Sequence, residues 1–213
     1  MVRFKIGGGR AGATGTGVAV MLGIWVLAAA PPAHAKAETD PLLKLRRTDA
    51  EIRAAVAWRV PEWSPEAAVR QMRIDRLLRG LLDYEAIARR ALGDRFTTLS
   101  PTQRRSFLSA FSALTGQTFL TKMEDQETRT IYDAEEIRGG EAHVSARGAC
   151  GAAQTEVEYV LERRGDDWRV TDVVIDGSSL VASYQEQFRP LLAREGVDGL
   201  MVRMRNRLSS RGN

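Results

Sequence analysis

The chain has 213 residues, of which 44% are apolar and 27% are charged, and its formal net charge is +4 at pH 7. This composition is typical of a globular protein and excludes a disordered or collagen-like chain. A single cysteine excludes a disulfide framework and a thiolate-based zinc site.

The first 35 residues have the pattern of a secretory signal peptide. Basic residues precede an apolar run at 18–30, and Ala33-His34-Ala35 matches a small-x-small cleavage site. The run is shorter than the ~20 residues that a membrane-spanning helix needs. We expect cleavage after Ala35 and export to an extracytoplasmic space; an uncleaved N-terminal anchor is the alternative.

Cleavage would remove Arg3, Lys5 and Arg10 and leave the chain nearly neutral, which argues against nucleic-acid binding. No GxxxxGK[ST] motif for ATP binding is present. We divide the chain into the signal peptide at 1–35, an N-terminal extension at 36–65 and one domain at 66–213.

The first predicted helices lie between residues 48 and 93. One short helix is expected near 48–58, with Thr48 or Asp49 as its cap. From Glu66 onward, apolar residues recur at the spacing of an amphipathic helix. These residues are Ile74, Leu77, Leu78, Leu81 and Leu82. Asp83 is then a predicted N-cap for a helix over 84–92, which ends at Gly93.

A capping box opens the next helix. Ser100 and Gln103 have the required spacing, and Pro101 occupies the first helical position. Apolar residues line one side of this helix, which is expected to end near 123–126. The residues on that side are Phe107, Phe111, Leu114 and Thr118.

Alternation with a period of two predicts four strands after this helix. They cover about 128–137, 142–147, 155–162 and 168–175, with short turns such as Gly139-Gly140. Consecutive strands with short turns form an antiparallel meander.

Helical spacing returns after Gly177. Leu180, Tyr184 and Phe188 fall on one side of a helix that is expected to stop at Gly196. Asp198 is expected to cap a last helix whose outer side has three arginines. These are Arg203, Arg205 and Arg207. The order of elements predicts an α+β fold, with a four-stranded antiparallel sheet covered on one face by helices from both ends of the chain.

Groups for catalysis are sparse in this sequence. His143 is the one histidine after the signal segment, and its position in a strand favours a solvent-facing residue over a triad base. Cys150 is expected to be inert. Asp172 lies in an apolar strand, on the same predicted side as Trp168 and Val170. We favour a structural link from Asp172 to a helix N-terminus or an arginine over a catalytic role.

Three segments together resemble the MlaC family, whose members bind lipid in the periplasm and are also known as toluene-tolerance proteins. The strongest runs from Trp168 to Val181 and continues through Ser183 to Phe188 and Gly196 to Leu200. The other two are Asp83–Gly93 and Ser100–Phe107. A related subgroup is associated with hopanoid biosynthesis, and this chain is also similar to it.

The resemblance implies a sheet and helices that enclose an apolar cavity for lipid chains, with neither a catalytic residue nor a cofactor. It also implies a periplasmic carrier of phospholipid or a hopanoid-like lipid. Its partners would be an inner-membrane transport complex and an outer-membrane lipoprotein or porin complex. This sequence departs from the family at Pro190, which is expected to kink a continuous helix, and at Ser183 and Gln185, where Asn and Arg are commoner.

The large apolar residues of the helices and strands are expected to form either a filled core or a lipid cavity. The candidate lipid-binding residues are Phe107, Phe111, Leu114, Val157, Tyr159, Val173, Tyr184 and Phe188. Two other functions remain open. One is an adaptor with a filled core, and the other is a small-molecule enzyme on a similar cone-shaped fold, using Asp172 or the pair Tyr132-Asp133.

Overall fold

The computed structural model describes residues 40–61, 63–124, 130–150 and 153–210, all of which belong to one compact unit. The predicted signal peptide and its cleavage site lie outside these residues, as does the side chain of Cys150. The elements in chain order are α1 (Pro41–Ala57), α2 (Pro65–Leu81), α3 (Tyr84–Leu92), α4 (Pro101–Glu124), β1 (Thr130–Arg138), β2 (Glu141–Cys150), β3 (Ala153–Arg164), β4 (Asp167–Ile175), β5 (Ser178–Ser179) and α5 (Leu180–Ser209).

The predicted α+β class is confirmed, but the sheet has five strands rather than four. All neighbouring strands are antiparallel, in the order β1-β2-β3-β4-β5. The fifth strand pairs with the end of β4 across Asp176 and Gly177, whose φ angles of 48° and 77° suit a two-residue hairpin turn. A strand of two residues is too short to produce an alternating pattern in the sequence.

The predicted caps of α3 and α4 are confirmed. Asp83 accepts a hydrogen bond from the Ala86 amide at 2.9 Å, and α3 ends at Gly93 with a φ of 55°. At the start of α4, Ser100 and Gln103 each accept a hydrogen bond from the other's backbone amide, at 3.2 and 3.1 Å. These reciprocal bonds satisfy two amides that a helix start would otherwise leave unpaired.

The first helix starts earlier than the sequence pattern predicts. Its cap is Asp40, which accepts from the Leu43 amide at 2.9 Å, and Pro41 follows at the first helical position. The expected cap Asp49 instead forms an ion pair with Arg53 at 2.9 Å, within the helix. Helix α1 is therefore a 17-residue helix rather than the short one expected near 48–58.

Helix α5 continues through Pro190, and its break comes at Gly196, where the backbone is non-helical with a φ of 67°. Asp198, expected to cap the second segment, accepts a hydrogen bond from Gln103 on α4. The predicted stop at Gly196 is therefore confirmed, because glycine permits this backbone conformation. The backbone at Pro190 stays helical, and a kink there stays a prediction.

The helices α1 to α5 and the inner face of the sheet share one continuous core. It includes Leu45 and Ile52 of α1, Leu78 of α2, Val144 of β2 and Leu200 of α5, all fully buried. The helices therefore cover one face of the sheet, and α1 contributes to the same core as the later elements.

Candidate functional site

Four aromatic rings form a cluster where α4 packs against α5. The ring centres of Phe111 and Tyr184 are 5.0 Å apart, and those of Tyr184 and Phe188 are 5.4 Å apart. Phe107 stacks on Phe111 at 5.5 Å. The cluster forms because residues four apart on a helix share a face, so that each helix contributes one pair of rings.

A polar contact joins α4 and α5 beside this cluster. The hydroxyl groups of Thr115 and Tyr184 are 3.1 Å apart, and both side chains are buried. A buried hydroxyl is stable in an apolar environment when it has such a partner. The contact therefore fixes the ring of Tyr184 against α4.

A cleft of about 180 Å³ lies beside the aromatic cluster, between α4 and the two segments of α5. Its lining combines apolar side chains with polar groups. The lining residues are Leu114, Thr118, Leu180, Ser183, Tyr184, Gln187, Phe188, Leu191, Leu200, Arg203, Met204 and Arg207. The second segment of α5, after Gly196, thus forms one wall of the cleft.

Two of the three expected surface arginines line this cleft. Arg203 forms an ion pair with Glu195 at 2.9 Å, across the break at Gly196, and hydrogen bonding from Arg203 lowers the pKa of Glu195. Arg207 lies beside the cleft one turn further on. Arg205 is exposed away from it. The cleft therefore has an apolar floor and a basic margin.

The sheet side of the molecule holds a second aromatic pair. The rings of Tyr132 on β1 and Tyr159 on β3 are 6.3 Å apart. Burial and, to a smaller extent, the carboxylate of Asp49 together raise the pKa of Tyr159 to about 12. Burial also raises the pKa of Tyr132. Helix α1 therefore places the charged pair Asp49–Arg53 close to two half-buried phenols.

The structure brings the predicted lipid-binding residues together in two groups. Phe107, Phe111, Leu114, Tyr184 and Phe188 lie in the aromatic cluster or in the cleft beside it. The other three lie on the sheet. Val173 is a buried register partner of the half-buried Tyr159, and Val157 is half-buried on the same strand.

Sequence reasoning missed the contribution of α1 and of Tyr132 to the sheet-side group. Arg53 donates to the Thr130 hydroxyl at 2.7 Å, and the guanidinium of Arg46 lies 5.8 Å from the centre of the Tyr132 ring. The i,i+4 spacing of Asp49 and Arg53 was a usable signal for a helix, but contacts between α1 and a distant strand have no local pattern.

Asp172 links β4 to α5, as the structural interpretation predicts. Its carboxylate accepts hydrogen bonds from the Ser179 hydroxyl at 2.6 Å and from the Val181 amide at 3.1 Å, at the N-terminus of α5. A carboxylate is stabilised at this position by the helix dipole and by unpaired amides.

The predicted side of Asp172 is wrong. Val160 pairs with Asp172, whereas the adjacent Leu161 pairs with Val170, so that Thr171 is an extra residue in β4. This bulge reverses the alternation, and Asp172 therefore faces away from the side of Val170.

The remaining candidates for enzyme chemistry are engaged in surface pairs. Asp133 accepts two hydrogen bonds from Arg147, both at 2.7 Å, and these bonds lower the pKa of Asp133. His143 bridges Glu141 at 2.9 Å and Glu158 at 2.6 Å on the outer face of the sheet. The side chains of Asp133 and His143 are therefore both explained as members of surface ion pairs that join neighbouring strands.

Two further features concern ligands and membranes. The described residues contain no group of three His, Cys, Asp or Glu side chains that could hold a metal ion. Within the same part of the chain, no helix is long and apolar enough to cross a membrane.

The chain has recognisable relatives at the level of family and fold. Its sequence matches the family model of the MlaC protein over residues 60–206. No curated protein matches it significantly. Its fold is similar to that of the phospholipid-binding protein from Ralstonia solanacearum, whose structure contains a bound phospholipid. That protein is 18% identical, and the similarity has a TM-score of 0.69 over 82% of this chain and 99% of the other. Because the family match spans more than half of the chain, this protein belongs to the MlaC family.

Proposed function

We propose that this protein is a periplasmic lipid carrier that binds phospholipid between its helices and its sheet. The main support is the similar fold of the Ralstonia solanacearum protein, which holds a phospholipid. The apolar cleft beside the aromatic cluster, with Arg203 and Arg207 at its margin, is consistent with acyl chains inside and an anionic headgroup outside.

The carrier would collect lipid from an inner-membrane transport complex and exchange it with an outer-membrane lipoprotein or porin complex. It would reach the periplasm through the signal peptide at 1–35 and work without a catalytic residue or a cofactor. In this proposal, residues 66–213 form the lipid-binding domain and 36–65 precede it. A hopanoid-like lipid is an alternative cargo that direct lipid analysis would identify.

Binding requires the cleft to open. Its volume of about 180 Å³ is below the ~300–1,000 Å³ of typical ligand pockets. Burial of acyl chains contributes about 0.8 kcal/mol per methylene group, which is enough to stabilise an open, filled state. We propose that the second segment of α5 moves about Gly196, away from Leu114 on α4, because this segment forms one wall of the cleft.

The proposed wall consists of the eight candidate residues in both groups. Leu114, Tyr184 and Phe188 of the helical group line the cleft, and Phe107 and Phe111 pack beside it in the aromatic cluster. The sheet group of Val157, Tyr159 and Val173 would form the opposite wall when the molecule is filled. A filled core without lipid, as in an adaptor protein, is the competing account.

The test is uptake of fluorescent phospholipid from vesicles by two variants of α5. Leu191 lines the cleft, whereas Val202 is 47% exposed and is not a cleft residue. We expect Leu191→Glu to lower uptake about tenfold, because acyl chains would desolvate the new carboxylate, and Val202→Glu to leave it unchanged. Equal uptake by both folded variants would contradict the assignment of the cleft.

A further inference from the structure

The second helix is apolar on two opposite sides. Its inner side packs Ile74, Leu78 and Leu81 into the core. On the opposite side, Val69 and Met72 lie one turn apart and are 51% and 59% exposed. A surface helix ordinarily presents polar residues on its outer side, so this second apolar stripe needs an explanation.

An exposed tryptophan precedes the helix, and exposed arginines accompany the stripe toward its C-terminal end. Trp63 precedes the helix cap Ser64 and is 89% exposed, the highest value among the large apolar side chains that the structure describes. Arg76 continues the stripe, and Arg73 lies on its flank; both are exposed. We call Trp63, Val69, Met72, Arg73 and Arg76 the α2 outer face.

The charge on the α2 outer face is positive and uncompensated. Neither Arg73 nor Arg76 forms an ion pair with any of the residues described here. The acidic residues of α2 lie on the sides of the helix, away from the centre of this face. Glu66 is in the first turn, and Asp75 accepts a hydrogen bond from Gln71 at 3.0 Å. A complementary partner is therefore anionic as well as partly apolar.

The size of the face distinguishes a membrane from a protein partner. From Pro65 to Arg76 the helix rises about 17 Å, and one helix is about 10 Å wide, so the face covers about 200 Å² when Trp63 is included. A stable protein interface buries about 800 Å² on each partner. A membrane surface needs no matching pocket: a few apolar side chains enter the headgroup region while arginines bind anionic headgroups.

We propose that the α2 outer face docks this protein on the surface of an anionic phospholipid bilayer. Trp63 and Met72 insert at the level of the headgroups, where tryptophan is favoured, and Arg73 and Arg76 contact phosphate groups. The inference concerns docking and not cargo, so it holds or fails independently of lipid carriage.

The test is co-sedimentation of the protein, purified from cells that export it, with phosphatidylcholine vesicles that contain or lack phosphatidylglycerol. We expect binding only to the anionic vesicles, with loss at high salt. Trp63→Ala should weaken this binding about tenfold, because a large apolar side chain is removed. The double variant Arg73→Gln/Arg76→Gln should weaken it by at least about tenfold and reduce its salt dependence.

Matched control variants test whether any loss of vesicle binding is specific to the α2 outer face. Ile137→Ala removes an apolar side chain that is 48% exposed on β1, and Arg95→Gln/Arg105→Gln removes two exposed arginines elsewhere. We expect both to bind like the unmodified protein. All substituted positions are exposed, and circular dichroism verifies folding. Absence of binding to anionic vesicles, or equal losses in the controls, would overturn the proposal; the first result would favour a protein partner.

Discussion

At the residue scale, His143 predicts a pH dependence of stability. Its hydrogen bonds with Glu141 and Glu158 favour the protonated ring and raise its pKa above the ordinary value of 6.5. A raised folded-state pKa stabilises the fold fully below about pH 6.5, and this contribution is lost as pH rises through the folded pKa. The side chain is partly exposed, so solvent limits the effect to below ~1 kcal/mol.

The measurement compares urea unfolding of the unmodified protein and His143→Gln on both sides of the titration. We expect the variant to be less stable at about pH 6 and equally stable at about pH 9. Glu136→Gln, which removes the exposed pair with Arg138, is the control and should show no such change. A constant difference at both pH values would show that the bridge does not titrate as described.

For Asp172, the residue pattern predicts the kind of partner but not the face of the strand on which the side chain lies. An acidic group in an apolar strand needs hydrogen-bond donors, so chemistry predicted a link to a helix N-terminus or to an arginine. The structure shows the helix N-terminus. The face on which it lies did not follow, because the extra residue Thr171 reverses the alternation. A bulge depends on pairing with a neighbouring strand, and a single strand does not encode it.

At the element scale, Gly196 and Gly80 predict opposite effects of the same substitution. A Cβ at either position meets no atom within 4 Å, so packing contributes nothing. Gly196 has a φ of 67° and a ψ of −168°, a conformation that is essentially restricted to glycine and costs an alanine about 1–3 kcal/mol. Gly80 lies inside α2 without a positive φ, so alanine there stabilises the helix by about 0.5–1 kcal/mol.

Thermal unfolding of Gly196→Ala and Gly80→Ala checks this pair. We expect a lower melting temperature for the first and a higher one for the second. Destabilisation of the same size in both would show that the break in α5 does not depend on the left-handed backbone at Gly196.

The elements differ in how well local sequence predicts them. The starts of α3 and α4 depend on capping hydrogen bonds between residues three apart in the sequence. The sequence therefore predicts both helix starts from Asp83, Ser100 and Gln103. Helix α1 depends on distant partners: the Leu42 amide donates to Glu135 at 2.8 Å, and Lys44 pairs with Asp167. Such long-range contacts have no signature in a window of sequence, so the local pattern predicts the start of α1 too late and does not indicate its role.

At the scale of the whole molecule, α1 should unfold together with the rest of the domain, although the family match begins at residue 60. Ile52 is fully buried in the common core. Ile52→Ala should therefore lower the free energy of unfolding by about 2–5 kcal/mol. We expect one transition when unfolding is followed by both tryptophan fluorescence and far-ultraviolet circular dichroism.

The exposed Leu43, on the same helix, provides the control, and Leu43→Ala should change stability by less than ~0.5 kcal/mol. A separate early transition in Ile52→Ala, with the main transition unchanged, would show that α1 is an appendage to an independent domain.

The central claim is that this member of the MlaC family carries lipid. Native mass spectrometry of the protein, purified from cells that export it, measures this directly when it is followed by organic extraction and lipid analysis. We predict a stoichiometric bound lipid whose extracted mass identifies it as a phospholipid. Protein that carries no lipid and takes up none from vesicles would contradict the carrier account and favour the adaptor.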